Sequence, residues 1–249
     1  MLFSPLEQFS IIKLFALFLG PLEFSFTNSS LLVLLSSSLS LIFFCLVCSS
    51  AKLVPGVWQT TAELLYEFVY FSVLSENVKK DGFFYFPILF AVFIFIFSCN
   101  LFGMIPYSFT VTSHIVVTVA LASFFFLAIN IIGVRKHGFQ MLSLFLPSGA
   151  PIILAPLLVV IEAVSYSFRI ISLALRLFAN MMSGHCLLKI LAGFAWTMFA
   201  SGGFLGLAHF LPLLVIFAIV GLELAIAFLQ AYVFTVLLCI YLNDALNLH

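Results

Sequence analysis

Ionisable side chains are rare in this sequence, and several of them sit where they are most costly. Glu162, Arg169, Arg176, His185 and Lys189 fall within one long apolar stretch, and Glu223 falls in the next. An ionised residue at the centre of a membrane helix costs about 2.5 to 3.5 kcal/mol, so each of these needs a partner, water or a task. Arg176 is the hardest to explain as packing, because a guanidinium does not deprotonate. Glu162 stands fourteen positions earlier, about 21 Å along a helix, which is too far to pair with it. Glu162, Glu223 and His185 can shed their charge when buried, so proton exchange and simple packing are both open for them. Lys189 either snorkels or pairs.

At about 100° per residue, Glu162, Ser165, Arg169, Ser172, Asn180 and Ser183 all fall within about 40° of Arg176 on a helical projection. Phe178 and Met182 occupy the opposite side, flanked by Ile170 and Ile171. Such a polar stripe inside an apolar helix must face protein or water. Glu223, Gln230 and Tyr241 form a second, sparser line on the following segment. Ser165, Ser172 and Ser183 are sufficiently explained as interhelical hydrogen-bonding glue, worth about 1 kcal/mol each. Arg176 is not, since it would be the most expensive glue available.

The medium these residues occupy follows from composition. With 65% hydrophobic and 7% charged residues among 249, and a mean hydropathy of +1.32, the chain has too little polar surface to coat a soluble globule. Nine basic residues balance nine acidic ones, which gives no reason to expect a nucleic-acid partner. The five cysteines, Cys45, Cys48, Cys99, Cys186 and Cys239, lie in or beside apolar runs and are expected to pack. Cys45 and Cys48 have metal-pair spacing without the second pair that a zinc site needs. No metal or cofactor is expected. Glu7 and Lys13 interrupt the first twenty residues, so no secretory signal is expected there.

The elements that must hold the stripe form an all-α integral membrane fold, a single membrane domain over 1–249. Apolar runs predict spans at 28–50, 83–100 and 113–134, each about long enough for a hydrocarbon core of about 30 Å. Between the first two, 57–78 mixes Glu63, Glu67 and Glu76 with apolar residues and predicts an interfacial amphipathic helix. The remaining apolar stretches, 151–200 and 211–242, are separated by Ser201-Gly202-Gly203. The first of them would reach about 75 Å as one helix, so it must tilt steeply, bend or turn back. Lys52, Lys79, Lys80, Arg135 and Lys136 all fall on one side of the membrane by this topology. The positive-inside rule then puts the N-terminus on the outer side.

The run Ser172-Leu173-Ala174-Leu175-Arg176-Leu177-Phe178-Ala179-Asn180-Met181-Met182-Ser183-Gly184-His185 closely resembles the signature of subunit a of F-type ATP synthases. Similarity extends to Glu223 through Gln230, to Asn100-Leu101-Phe102-Gly103-Met104-Ile105-Pro106, to Ser4-Pro5-Leu6-Glu7-Gln8-Phe9, and to Tyr241-Leu242-Asn243-Asp244. It covers nearly the whole chain. His185 after the arginine motif and Glu223 on the last helix resemble the mitochondrial arrangement; many bacterial members have the acid first and the histidine second. The resemblance implies a mitochondrial inner membrane, with a bacterial inner membrane as the alternative.

The family implies about five membrane helices plus the interfacial one, with the last two forming a steeply tilted hairpin against a rotating ring of c subunits. It also implies peripheral-stalk and other membrane subunits as neighbours. Proton translocation would rest on Arg176, with His185 and Glu223 in an outer half-channel and Asn180 and Gln230 near the ring contact. Glu162 would serve the opposite half-channel, with Arg169 holding it or the ring, the two meeting through water. No nucleotide-binding motif is present, so ATP chemistry would belong to partner subunits. A secondary transporter would predict two related halves, and a structural membrane subunit would not require the Arg176 stripe.

Overall fold

The computed structural model describes residues 4–19, 22–78, 80–105, 108–138, 140–141, 155–202 and 209–247. Lys79, Pro106, Pro151 and Gly203, used in the sequence argument, lie outside the described residues, as does the side chain of Ile170.

A short 3-10 turn, Pro5–Phe9, is followed by an antiparallel hairpin of β1 (Lys13–Leu19) and β2 (Leu22–Thr27). This hairpin was not expected from the sequence. Helix α1 (Asn28–Ser49) starts at a capping box in which the Thr27 and Ser30 side chains each accept from the other's backbone N–H. Helix α2 (Val57–Phe68) continues through a π-helical turn, Val69–Ser75, and a 3-10 turn, Lys80–Tyr85, precedes α3 (Phe86–Gly103). Helix α4 (Ile115–His137) closes on Arg135, Lys136 and His137, the first two being cations placed where the helix dipole favours them. Gly138, at φ +58°, takes the chain out of that helix in a conformation open to glycine.

Helix α5 (Ala155–Ser201) is one continuous helix of 47 residues. Turning back is thereby excluded. Its length of about 70 Å is more than twice a hydrocarbon core of about 30 Å, so it crosses obliquely or runs far beyond the core. Helix α6 (Phe210–Leu246) adds 37 residues. Five helices, α1 and α3 to α6, are long and apolar enough to cross a membrane, and α2 lies between the first two of them.

Helix α3 is the hub. Half of its apolar stretch is buried, against 6% for α1. Phe93 and Ile96 of α3 join Leu173 and Leu177 of α5, and Phe234 and Leu238 of α6, in one core. Phe68 brings the end of α2 onto the same core through Phe93, Phe228 and Tyr232. Outside that core the helices turn Leu34, Phe124, Ile131, Phe168, Leu214 and Phe217 outward, an inside-out pattern that suits acyl chains. Cys99 and Cys239 are buried as expected of packing residues, whereas Cys45 and Cys48 are exposed on α1.

Candidate functional site

Helices α5 and α6 run antiparallel: Asn180 meets Gln230, His185 meets Glu223, and Arg169 meets Asp244. Three polar sites are thereby stacked along one helix pair.

The first site lies toward the end of the molecule where α1 begins and α3 ends. Glu223 is only 2% exposed, and its Oε1 stands 3.5 Å from His185 Nε2. That separation is too long for a hydrogen bond, and neither carboxylate oxygen nor His185 Nε2 has another hydrogen-bond partner. Gly184 makes the approach possible. A Cβ there would stand 2.7 Å from Glu223 Oε1, so any side chain would push the carboxyl off α5. A cavity of about 870 Å³ opens beside this pair. His185, Leu188, Lys189 and Ala192 wall it from one face of α5, and Ile216 and Val220 from α6. Glu223 stands one turn after Val220 on α6, so His185 is the member of the pair that meets the cavity.

The second site is in the middle. Asn180 Nδ2 donates to Gln230 Oε1 at 3.0 Å, and Gln230 is 3% exposed. From α3, the fully buried Asn100 donates to the Ala227 carbonyl at 3.3 Å, one turn from Gln230. Arg176 lies one turn before Asn180 and is exposed, together with Ser165, Ser172 and Ser183 of the same stripe. Among the described residues no carboxylate pairs with it. Leu173 and Leu177 are buried on the flank next to the stripe, so that flank packs in the core while Arg176 is left exposed.

The third site occupies the opposite end, with Arg135, Lys136 and the last turn of α6. Arg169 is shared by two carboxylates, Glu162 at 3.6 Å and Asp244 at 3.7 Å, each about a third exposed. The Arg169–Glu162 contact is direct, where the sequence suggested bridging water: two helical turns separate the residues, and the long arginine side chain closes the gap. Tyr166 and Tyr241 place their rings under the guanidinium, with centroids 5.8 and 5.6 Å away. Tyr166 Oη donates to Asn130 Oδ1 of α4 at 2.7 Å. His137 Nε2 lies 2.9 Å from the Leu246 carbonyl and ties α4 to the end of α6.

Gly184, Asn100, Asp244, Tyr166 and Asn130 were not among the site residues expected from the sequence. Asp244 lay within a resembling motif, one turn after Tyr241, and helical phase could have put it on the Glu223 line. Nothing in a single segment points to Asn130, which acts across helices.

Fold and sites together define a polytopic all-α membrane protein that keeps ionisable groups at both ends of one helix pair and, between them, a guanidinium with no carboxylate partner among the described residues. The sequence profile of the ATP synthase A chain matches residues 30–243. The chain is 52% identical to ATP synthase subunit a of Marchantia polymorpha, over 99% of this chain and 99% of the relative. It is 52% identical to that of Chondrus crispus, covering 99% and 97%, and 49% identical to that of Rhodospirillum rubrum, covering 99% of each. The chain belongs to the ATP synthase A chain family, the proton-translocating stator subunit of F-type ATP synthases, and works within that complex.

Proposed function

We propose that protons cross this subunit in two offset half-channels that meet a rotating ring of carboxyl-bearing c subunits at Arg176. The observation that carries this reading is the placement of Arg176: exposed, without a carboxylate partner among the described residues, between a cavity-fed acid and a carboxylate cluster. A ring carboxyl facing lipid is neutral; beside a guanidinium it ionises and its proton leaves. The same fixed charge repels a proton attempting to pass directly from one half-channel to the other. A membrane potential worth about 2.3 kcal/mol per charge per 100 mV then gives rotation its direction.

In this reading His185 and Glu223 load the ring from the cavity. Asn180 and Gln230 line the last step beside Arg176. Glu162, with Arg169 and Asp244, receives the proton at the other end. The side carrying Lys52, Arg135 and Lys136 is the matrix side, which puts the N-terminus and the cavity on the intermembrane-space side of a mitochondrial inner membrane. A bacterial inner membrane is the alternative, and cell fractionation separates the two. The c ring is the partner of the arginine face, and peripheral-stalk and other membrane subunits cover the remaining helices.

The test is Arg176→Ala in the assembled complex. Proton-driven ATP synthesis is expected to vanish. Synthesis persisting at a normal proton-to-ATP ratio would refute the role of the guanidinium.

A further inference from the structure

Residues Ser4 to Ser10 form a strap that borders the cavity beside His185, and both ends of that strap are pinned to different helices. At one end Lys189 Nζ of α5 donates to the Ser4 carbonyl at 3.3 Å. At the other, Asn28 at the start of α1 holds the chain three times: its Nδ2 donates to the Ser10 carbonyl at 3.2 Å, its Oδ1 accepts from the Ile12 N–H at 3.3 Å, and its own N–H donates to the Ile12 carbonyl at 3.2 Å. Between the pins the Pro5–Phe9 turn is stiffened by Pro5 and by the Ser4 hydroxyl, which accepts from the Leu6 N–H at 3.4 Å. Glu7, Gln8 and Ser10 of the strap line the cavity, facing His185 and Lys189 across it. Gln8 Nε2 is buried there without a hydrogen-bond partner.

Two features set this contact apart from ordinary terminal packing. The two ends of the strap are held by polar bonds to α5 and α1 and its middle is a short 3-10 turn, so it can lift without unfolding a helix. And Lys189 sits one helical turn from His185 on the cavity wall, so the residue that pins the strap shares that wall with the imidazole. We propose that Ser4–Ser10 is a strap that limits access to the outer cavity, and that Lys189 is the positioning residue that keeps it closed. This rests on the reading of that cavity as the loading half-channel. Water and protons then reach His185 through a mouth whose width the Lys189 and Asn28 bonds set.

The experiment uses assembled complex in sealed membranes of known orientation. A cysteine is placed on the cavity wall as Leu188→Cys, and its labelling is followed with membrane-impermeant thiosulfonate reagents, one cationic and one anionic, above the background of the native cysteines. With Lys189→Met, outer-side labelling by both reagents is expected to accelerate about tenfold, the change expected when one charged hydrogen bond no longer favours the closed state. A pure charge effect of removing the ammonium would instead move the two reagents in opposite directions, and that outcome overturns the strap. Lys189→Arg should restore the slow rate. Asn28→Ser, which removes the two side-chain bonds at the other end and keeps the backbone one, should accelerate labelling independently, so the proposal stays testable if Lys189→Met does not assemble. Outer-side labelling at one rate in all variants overturns the strap and leaves the half-channel standing. Labelling of Leu188→Cys only from the opposite side overturns the half-channel reading, and the strap with it.

Discussion

The two ends of the α5–α6 pair solve the problem of charge in a membrane differently. At the end that the proposed function reads as outer, the buried Glu223 faces a partly buried His185 at 3.5 Å, with polar atoms on both left without a hydrogen-bond partner among the described residues. Either group can exist uncharged, so the pair tolerates burial by passing through neutral forms. At the inner end Arg169 cannot, and it is surrounded by two carboxylates and two aromatic rings, each carboxylate about a third exposed. In the proposed reading the more buried, drier end changes protonation state and the more exposed, wetter end remains ionised. A buried group left unsatisfied is costly, and that cost is tolerable at the outer end only if water or a proton visits it. The difference shows two ways of keeping ionisable groups on one helix pair, one by burial beside a partner that can be neutral and one by opposite charge.

The strongest way to break this contrast is to remove proton exchange at the dry end. Glu223→Gln keeps the shape and removes the proton-carrying group, and proton-driven synthesis is expected to fall about a hundredfold, within the range of lost acid–base relays. Assembly, measured by co-purification of partner subunits, should persist. Gly184→Ala attacks the same pair by geometry alone: its Cβ would meet Glu223 Oε1 at 2.7 Å and displace the carboxyl. Proton flux should drop about tenfold. Combining it with the shorter Glu223→Asp should recover part of the loss, and the absence of recovery would separate Gly184 from the carboxyl.

How much of this was legible beforehand depends on the range of the interaction. The fold class was, because apolar runs long enough for lipid are a property of single segments. The stripe of Arg176 was too, because helical phase fixes which residues share a face. The β1–β2 hairpin was not: Leu14 to Leu19 is apolar throughout, so the alternation that announces a strand is missing. Asp244 and Asn130 were hidden because their partners Arg169 and Tyr166 lie on other helices, and only the packing of α4, α5 and α6 brings them together. Gly184 was hidden for a related reason, since its use is defined by what Glu223 does opposite.

At the wet end the losses should be smaller and non-additive. Glu162→Gln leaves Asp244 on Arg169, and Asp244→Asn leaves Glu162, so each alone is expected to slow flux by about threefold. The double variant should lose far more than the product, because Arg169 is then left without a carboxylate. Effects that simply multiply would mean that the two acids do not share a function, and the contrast between ends would rest on Glu162 alone.

The smallest effect is expected at Tyr166, and it sharpens the comparison most finely. Its hydroxyl reaches Asn130 of α4 while its ring lies under Arg169, so it belongs to both the scaffold and the ionic cluster. Tyr166→Phe removes the hydrogen bond and keeps the ring. If the wet end needs only a held cation, flux should stay within about twofold while resistance to thermal disassembly falls by about 1 kcal/mol, the usual worth of one neutral hydrogen bond. Tyr166→Leu removes the ring as well and should slow flux further, because the guanidinium loses the surface that keeps it between its two carboxylates. Equal behaviour of the phenylalanine and leucine variants would show that the carboxylates alone position Arg169, and that the aromatic pair beneath it only fills space.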